Sequence, residues 1–384
     1  MKSSNLIYAI TLLFVFMSCS DDDISADELG NEAENDEQAM DDEGNDEDDM
    51  STDLLAFQEL YDQGADRYLG AFSPTSSEEV SPGVIEHVFT DVDGPICFTG
   101  EQFSMFTRDG SSDNLMIFLQ GGGFCTPVVC EATETGIPLI PFGILNPDDL
   151  QNPTANYDVG YLPYCDGSQM MGDNEVDSDN DGVNDRFFRG AQNLSASLDV
   201  IFQTYPNPEN IVLAGNSAGG FAVHNALPLV RRLYPDVNIF LINDSGNGIA
   251  NPDGLEFLIN YWGASSFLPV SCEDCIGEDG NMTGYHKYQL DKDENIRMAY
   301  ISSKQDSVLS AAFSGGGPAF EAELLEAVEE LKQAHPERFN GLIDNGEAHT
   351  YIIRQFDTEV GVVSVRQRVA DMLNGNTEWT TVIE

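Results

Sequence analysis

Basic residues are scarce in this chain of 384 residues, because 16 Lys and Arg stand against 67 Asp and Glu and give a formal net charge of −51. Proteins that hold nucleic acid or dock on anionic lipid need clustered positive charge. The composition therefore argues against both kinds of partner. It is compatible with a salty habitat or with bound divalent cations.

The N-terminus lacks an apolar run long enough for a comfortable membrane span. Residues 6–17 are apolar but fall short of the roughly 20 residues that a transmembrane helix needs. Cys19 follows Ser18, and Ser20 and three aspartates come after it. This arrangement resembles a bacterial lipoprotein signal in which the cysteine is lipidated. We expect residues 1–19 to be that signal and the protein to be an exported, cell-surface or outer-membrane lipoprotein of a Gram-negative bacterium. Cleavage by ordinary signal peptidase is the alternative, since Phe16 and Met17 are a loose fit to the residues that usually precede a lipidated cysteine.

Basic residues are missing altogether from residues 20–53, which contain seventeen Asp or Glu. Such a segment repels itself and cannot bury apolar area. We expect a disordered acidic tether over residues 20–60 and one domain over residues 61–384, which is long enough for a full core. No internal repeat or long linker interrupts this domain. We expect a monomer whose contact with membrane is the N-terminal lipid alone.

Cysteine is also infrequent, with 7 in the chain and six of them beyond Cys19. In an exported protein an even number predicts disulfides, here up to three, and the sequence leaves their pairing open. The six are Cys97, Cys125, Cys130, Cys165, Cys272 and Cys275. The last two have the spacing of a metal clip, but no second such pair and no histidine pair lies near them.

Short apolar runs alternate with helical patterns through the domain. This alternation predicts an α/β protein with a mostly parallel central sheet and helices on both faces. The predicted strands cover residues 115–119, 159–163, 211–214, 239–242 and 297–302, and the predicted helices cover 192–204, 221–233 and 319–333. Polar or glycine-rich turns follow several strands, at the sheet edge where such proteins bind ligands.

Ser217 lies in GNSAG, residues 215–219, which fits the pattern G-x-S-x-G between a predicted strand and a predicted helix. The glycines are needed because a serine in such a sharp turn leaves no room for side chains beside it. Its hydroxyl then lies at a helix N-terminus, where negative charge is favoured. The pattern predicts a nucleophile in an α/β-hydrolase fold. An ordinary glycine-rich helix entry is the alternative.

A second glycine run, residues 121–123, follows the strand at 115–119. Acyl transfer forms a tetrahedral oxyanion that needs convergent N–H donors. We expect these donors at Gly122, Gly123 and Ala218, the residue after the nucleophile. Glycine lets the backbone approach the substrate closely. A tight structural turn is the alternative.

The base and the acid should follow the nucleophile in the order Ser, Asp, His. His349 is the better candidate base, because His335 ends a charged helix and should be a solvated surface residue. Asp306 follows the strand at 297–302, where this fold usually supplies its acid. Asp244 is the alternative acid, since it follows the preceding strand. His224 and His286 are poor candidates because one lies within a helix and the other in an irregular insertion, and Asp344 fits a turn.

Six short motifs are spread over most of the domain, and their order along the chain is informative. They are LQGGGFC (119–125), YCDGSQMMGD (164–173), FRG (188–190), GNSAGG (215–220), NDSG (243–246) and QDS (305–307). With these motifs the chain resembles the pectin acetylesterase family, which also contains the animal carboxylesterase Notum. The resemblance implies a serine esterase with the triad Ser217, Asp306 and His349 and no cofactor for catalysis. Gly123 stands where the family often has tryptophan, which should open the pocket.

Residues 173–186 form an acidic insertion with the spacing of a calcium loop. Asp177, Asp179 and Asp181 alternate, a glycine follows for the sharp turn, and Asp185 adds a fourth acid. Phe188 takes the twelfth position, so this is not a full EF-hand. We expect a structural Ca²⁺, with an acidic solvated turn as the alternative.

The sequence predicts a carboxylic ester hydrolase that removes acetyl groups from a polysaccharide. Two alternatives stay open. One is a lipase-like hydrolase of longer acyl chains, and the other is a catalytically inactive surface lipoprotein that binds glycans. The complete set of nucleophile, acid, base and N–H donors argues against the inactive protein.

Overall fold

A computed structural model describes residues 55–252 and 254–384 of the chain. The expected signal peptide, Cys19 and most of the acidic tether lie outside the described residues. Among the helices that are described, none combines the length and the apolar character that crossing a membrane requires.

A central sheet of ten strands organises the fold, in the order β1-β2-β3-β5-β4-β8-β9-β10-β11-β14. Its strands are β1 (Ser76–Ser81), β2 (Val84–Phe89), β3 (Phe103–Arg108), β4 (Leu115–Leu119), β5 (Asp158–Leu162), β8 (Asn210–Asn216), β9 (Asn238–Asp244), β10 (Ile296–Ser303), β11 (Phe339–Asp344) and β14 (Val382–Ile383). Two small hairpins pair β6 (Asn174–Val176) with β7 (Arg186–Phe188) and β12 (Glu359–Val360) with β13 (Val363–Ser364).

The sheet is parallel from β5 to β14 and antiparallel at the other edge, where β1, β2, β3 and β5 pair in turn. The central strand β4 has the sequence LMIFL and is wholly buried. Continuous apolar runs are typical of parallel strands that are covered on both faces. The predicted α/β architecture with a mostly parallel sheet is therefore confirmed, and the antiparallel edge is an addition to it.

Eight helices are described. They are α1 (Gln58–Asp62), α2 (Gly190–Thr204), α3 (Ala218–Leu233), α4 (Gly254–Trp262), α5 (Thr283–Lys292), α6 (Leu309–Ala312), α7 (Gly317–Ala334) and α8 (Val365–Leu373). Every predicted strand and helix is present, with bounds that differ by at most three residues.

The two faces of the sheet carry separate hydrophobic cores. Alternate residues of β4 show the division: Ile117 packs in the core with α2, α3, α5 and α7, whereas Phe118 packs in the core with α8 and with Tyr351 and Ile352. Period-two alternation within a strand produces this arrangement. The second core places the segment after His349 directly against the sheet.

The first core extends towards the N-terminus. Phe57 and Leu60 are buried in it. The core therefore includes residues that precede the expected start of the domain at residue 61.

Six cysteines form three disulfides in the described residues, which link Cys97 to Cys165, Cys125 to Cys130, and Cys272 to Cys275. The expected number of disulfides is thus present. The pair Cys272 and Cys275 is a disulfide rather than a metal clip.

Candidate active site

Ser217 forms the turn between β8 and α3, with φ 55° and ψ −122°. A positive φ is rare for a residue with a side chain and costs about 1–3 kcal/mol. The turn is held by the Ser217 N–H, which donates to the carbonyl of Asp244 at 2.8 Å. A Cβ at Gly219 would collide with the carbonyl oxygen of Leu119 in β4. The glycine after the nucleophile is therefore required by close backbone packing, as the motif predicts.

The structure brings Ser217, His349 and Asp306 into one hydrogen-bonded chain. Ser217 Oγ lies 2.8 Å from His349 Nε2, and His349 Nδ1 lies 2.8 Å from Asp306 Oδ2 and 2.9 Å from Oδ1. The Asp306 side chain is fully buried, whereas that of His349 is 18% exposed. Because the carboxylate accepts from Nδ1, the imidazole hydrogen lies on that nitrogen, and Nε2 is left to accept from the serine hydroxyl.

Asp306 is fixed by the backbone that follows it. It lies just beyond β10, and its Oδ1 also accepts from the N–H groups of Val308 and Leu309, each at 3.0 Å. These two bonds hold the carboxylate at the start of α6. The acid therefore cannot rotate away from His349 without losing backbone hydrogen bonds.

Asp244, the alternative acid, has a different environment. Its buried carboxylate accepts from the N–H groups of Tyr351, at 2.8 and 3.0 Å, and of Ile352, at 2.9 Å. Burial raises the pKa of Asp244 to about 7, although the two N–H donors oppose that shift. The neighbouring Ser245 Oγ accepts from Thr350 N–H at 3.1 Å. Asp244 thus anchors the segment after His349 and has no hydrogen bond to the imidazole among the described residues.

The glycine loop after β4 lies beside Ser217. Gly121 N–H donates to Asn216 Oδ1 at 3.3 Å, which ties the loop to the Ser217 turn. A Cβ at Gly122 would collide with the ring of Tyr164. Within the described part of the chain, the N–H groups of Gly122 and Gly123 donate to no protein acceptor. Ala218 opens α3, so its N–H is one of those that have no partner inside the helix.

An open cavity of about 230 Å³ adjoins Ser217, Ala218 and Gly123. Most of its wall is apolar, and the sequence analysis does not predict the residues that line it apart from Gly123, Ser217 and Ala218. The apolar side chains are Phe124, Phe221, Ile249, Ala250, Leu255, Leu258, Val308, Leu309 and Phe313, and Gln169, Glu131 and Asn251 add polar groups. The sequence signal for them is weak, since all that they share is a position after the carboxyl end of a strand.

Three other histidines do not lie in this chain of groups. His224 and His286 are buried and stacked, with ring centroids 3.5 Å apart. The expectation that His335 is a solvated surface residue is wrong, because it is only 8% exposed and its Nε2 lies 3.1 Å from Asp291 Oδ1. The turn from α7 into β11 covers it, with Phe339 N–H donating to its carbonyl.

The acidic insertion forms the tip of the hairpin β6–β7. Asp177, Asp179 and Asp181 each offer an oxygen within 4.8 Å of the others. Asp185 does not join them, because its carboxylate accepts from the N–H and the hydroxyl of Ser178, each at 2.8 Å. Three of the four expected ligands are therefore together.

Comparisons with known proteins bear on the segment that contains Ser217. The model of the family described as pectinacetylesterase matches residues 84–255, and comparison with curated proteins gives no match. The matched segment contains the glycine loop, the Ser217 turn and Asp244, whereas Asp306 and His349 lie beyond it. The match over residues 84–255 is consistent with a member of the pectinacetylesterase family, and it suggests a carboxylic ester hydrolase.

Proposed function

We propose that the protein is an exported serine esterase that removes acetyl groups from a polysaccharide. The observation that carries the proposal is the hydrogen-bonded chain from Ser217 Oγ through His349 to the buried Asp306, beside an open cavity. The family match over residues 84–255 supports the reaction class.

In the first half-reaction, Ser217 Oγ attacks the ester carbonyl carbon while His349 Nε2 takes its proton. The carbonyl π electrons move to oxygen, and Asp306 stabilises the imidazolium. When the tetrahedral intermediate collapses, His349 returns the proton to the leaving alcohol and the acyl group stays on Ser217. Water then attacks the acyl-enzyme in the same way, and acetate is released. No step of this scheme requires a cofactor.

The oxyanion forms where backbone N–H groups converge. Gly122, Gly123 and Ala218 are the proposed donors, and the unpaired N–H groups of the glycine loop support this role. Removal of a single such donor typically costs about 10²–10³ in kcat, so this interaction is a large part of the catalysis.

The proposed location is the cell surface, with Cys19 lipidated. The disulfides support export, because such bonds persist in oxidising compartments. The scarcity of basic residues supports a substrate other than nucleic acid. We propose that the protein acts as a monomer.

A second candidate activity is hydrolysis of longer acyl esters. The apolar wall of the cavity beside Ser217 favours it, because each buried CH₂ contributes about 0.8 kcal/mol. The expectation that Gly123 opens the pocket has no support in the geometry, because a Cβ at this position would collide with the carbonyl oxygen of Glu131.

A structural Ca²⁺ is proposed at the tip of the β6–β7 hairpin. The donor set fits this ion, since calcium prefers carboxylate oxygens and the three aspartates hold theirs close together. Gly182, with φ 93°, makes the sharp turn that such a loop needs. The ion would stabilise the hairpin and take no part in the chemistry.

The nucleophile is tested by Ser217→Ala. We expect kcat to fall by about 10⁴–10⁶ with the fold intact, since losing one member of a triad is nearly as damaging as losing all. A fluorophosphonate probe should label the wild-type protein and leave the variant unlabelled. Unchanged labelling and activity in the variant would show that another residue is the nucleophile.

The acid is tested by a matched pair of substitutions. Asp306→Asn should lower kcat by about 10⁴, because an amide favours the wrong tautomer of His349. Asp244→Asn should instead lower stability by about 1–3 kcal/mol, because its amide nitrogen faces backbone N–H donors, and should cost far less in kcat. Rates are measured well below each melting temperature. A severe kcat loss in Asp244→Asn with a mild one in Asp306→Asn would reverse the assignment.

Acyl-chain length separates the two candidate activities. We expect kcat/KM to be highest for p-nitrophenyl acetate and to fall through butyrate to octanoate, with acetate released from acetylated xylan or pectin. The reason is the family match together with the proposed export, which places the enzyme where polymers are met. A maximum at octanoate, with no acetate from either polymer, would favour the second activity.

Chelation tests the calcium site. EDTA should lower the melting temperature while activity at low temperature persists. When the free Ca²⁺ concentration is 100 times the Kd, binding adds about 2.7 kcal/mol to the free energy of unfolding. The double substitution Asp177→Asn and Asp179→Asn should remove the response to EDTA. If protein known to be metal-loaded melts identically with and without EDTA, the loop is a solvated acidic turn.

A further inference from the structure

The cavity beside Ser217 carries a one-sided charge. Among its described lining residues, Glu131 is the single one with an ionisable side chain, and no Lys or Arg lines the wall. Glu131 is exposed, and its carboxylate accepts no hydrogen bond among the described residues. The one formal charge among the described lining residues is therefore negative, and no lining residue supplies a counter-ion.

The other described residues offer almost no cation without a partner to compensate. Every described Lys and Arg except Arg354 makes an ion pair, donates a hydrogen bond or lies over an aromatic ring. Arg354 lines a different groove, of about 730 Å³, which shares no lining residue with the cavity. A substrate carboxylate at Ser217 would find no described guanidinium or ammonium group among the lining residues.

Recognition of a carboxylate normally uses such a group, because an Arg fork pairs with it through two hydrogen bonds. A sugar acid that carries an acetyl group holds its carboxylate on the same ring as the scissile ester. That carboxylate must therefore enter near the cavity together with the ester. With Glu131 among the lining residues and a net charge of −51 on the whole chain, entry is disfavoured by both local and long-range repulsion.

We infer that the site takes acetyl esters of uncharged sugars and discriminates against esters flanked by a carboxylate, with Glu131 as the residue of the cavity that sets this preference. The inference rests on the proposed function and narrows it to neutral acetylated glycans. Neutral hydroxyl-rich sugars need hydrogen-bonding groups rather than counter-ions, and Gln169 supplies such a group on the same wall.

The expected size of the effect follows from Coulomb's law. Two like charges ~7 Å apart at the protein surface lower kcat/KM by about threefold to tenfold at low salt. The field of the whole chain adds to this preference until salt screens it, whereas the short-range repulsion by Glu131 is screened less. The two contributions can therefore be separated by ionic strength.

The test uses one acetylated galacturonate oligomer in two forms, with its carboxylates free or methyl-esterified, so that acyl group and sugar stay constant. Wild-type protein should prefer the methyl-esterified form by at least about tenfold in kcat/KM at low ionic strength, and less at ~0.5 M salt. Glu131→Gln should reduce the preference by about threefold to tenfold, through faster hydrolysis of the free-acid form. Glu134→Gln, which removes an exposed acid three residues away that does not line the cavity, should leave the preference unchanged.

Equal kcat/KM for the two forms in the wild-type protein would overturn the inference while leaving the proposed esterase intact. A wild-type preference that Glu131→Gln does not change would overturn the role of Glu131. Folded protein that hydrolyses neither form and no p-nitrophenyl acetate would overturn the proposed function, and the inference with it.

Discussion

Asp244 links the Ser217 turn to the segment after His349, the first through its main-chain carbonyl and the second through its carboxylate. Its main-chain carbonyl accepts from the N–H of Ser217, and its carboxylate accepts from the N–H groups of Tyr351 and Ile352, just beyond His349. Ser217 and His349 lie in loops 132 residues apart in the chain. Asp244, at the end of β9, is bonded to both segments and therefore helps to keep Ser217 and His349 at hydrogen-bond distance from each other. The cost is a buried carboxylate, and its raised pKa shows that desolvation outweighs the two N–H donors.

A second polar layer keeps that anchor in place. The Asn243 amide brackets Gly246, since Oδ1 accepts from its N–H and Nδ2 donates to its carbonyl, each at 2.9 Å. Nδ2 also lies 2.9 Å from His224 Nε2, and His224 Nδ1 lies 2.8 Å from Gln289 Oε1. Because Nε2 accepts, the hydrogen lies on Nδ1 and the imidazole is neutral. Burial lowers the pKa of His224 to about 4, in agreement with this protonation state. A fully satisfied buried network of this kind makes a turn rigid.

Much of the fold could be predicted because its parallel strands are short, apolar and bounded by glycine or polar turns. The strand at 115–119 has the predicted bounds, and both the Ser217 turn and its helix follow from local spacing. The antiparallel edge could not be predicted, since β1 has the sequence SSEEVS and is exposed at every position. Its pairing with β2 depends on a neighbour that already belongs to the sheet.

The site was predictable where one residue type at one position carries the chemistry, and not where distant segments meet. Ser217, Asp306 and His349 lie after strands or in loops, and chain order together with the family resemblance favours them, although Asp244 fits the same order. The cavity wall is assembled from α3, α4 and the segment around α6, so no local pattern marks it. The role of Asp244 was likewise hidden, because an aspartate after a strand has the same sequence context whether it faces an imidazole or a backbone loop.

The net charge of the chain places a limit on how the oxyanion can be stabilised. An acidic protein opposes any new negative charge, but that opposition comes mainly from groups many ångströms away and is screened over about 8 Å at physiological salt. N–H donors at hydrogen-bond distance, and the N-terminus of α3, act within that length. In the proposed reaction the oxyanion therefore depends on local dipoles, which screening barely weakens. A substrate that approaches from solvent crosses the region where the distant charges still act. The acidic surface can therefore favour uncharged substrates over anionic ones on their way to Ser217, although it hardly affects the proposed chemistry there.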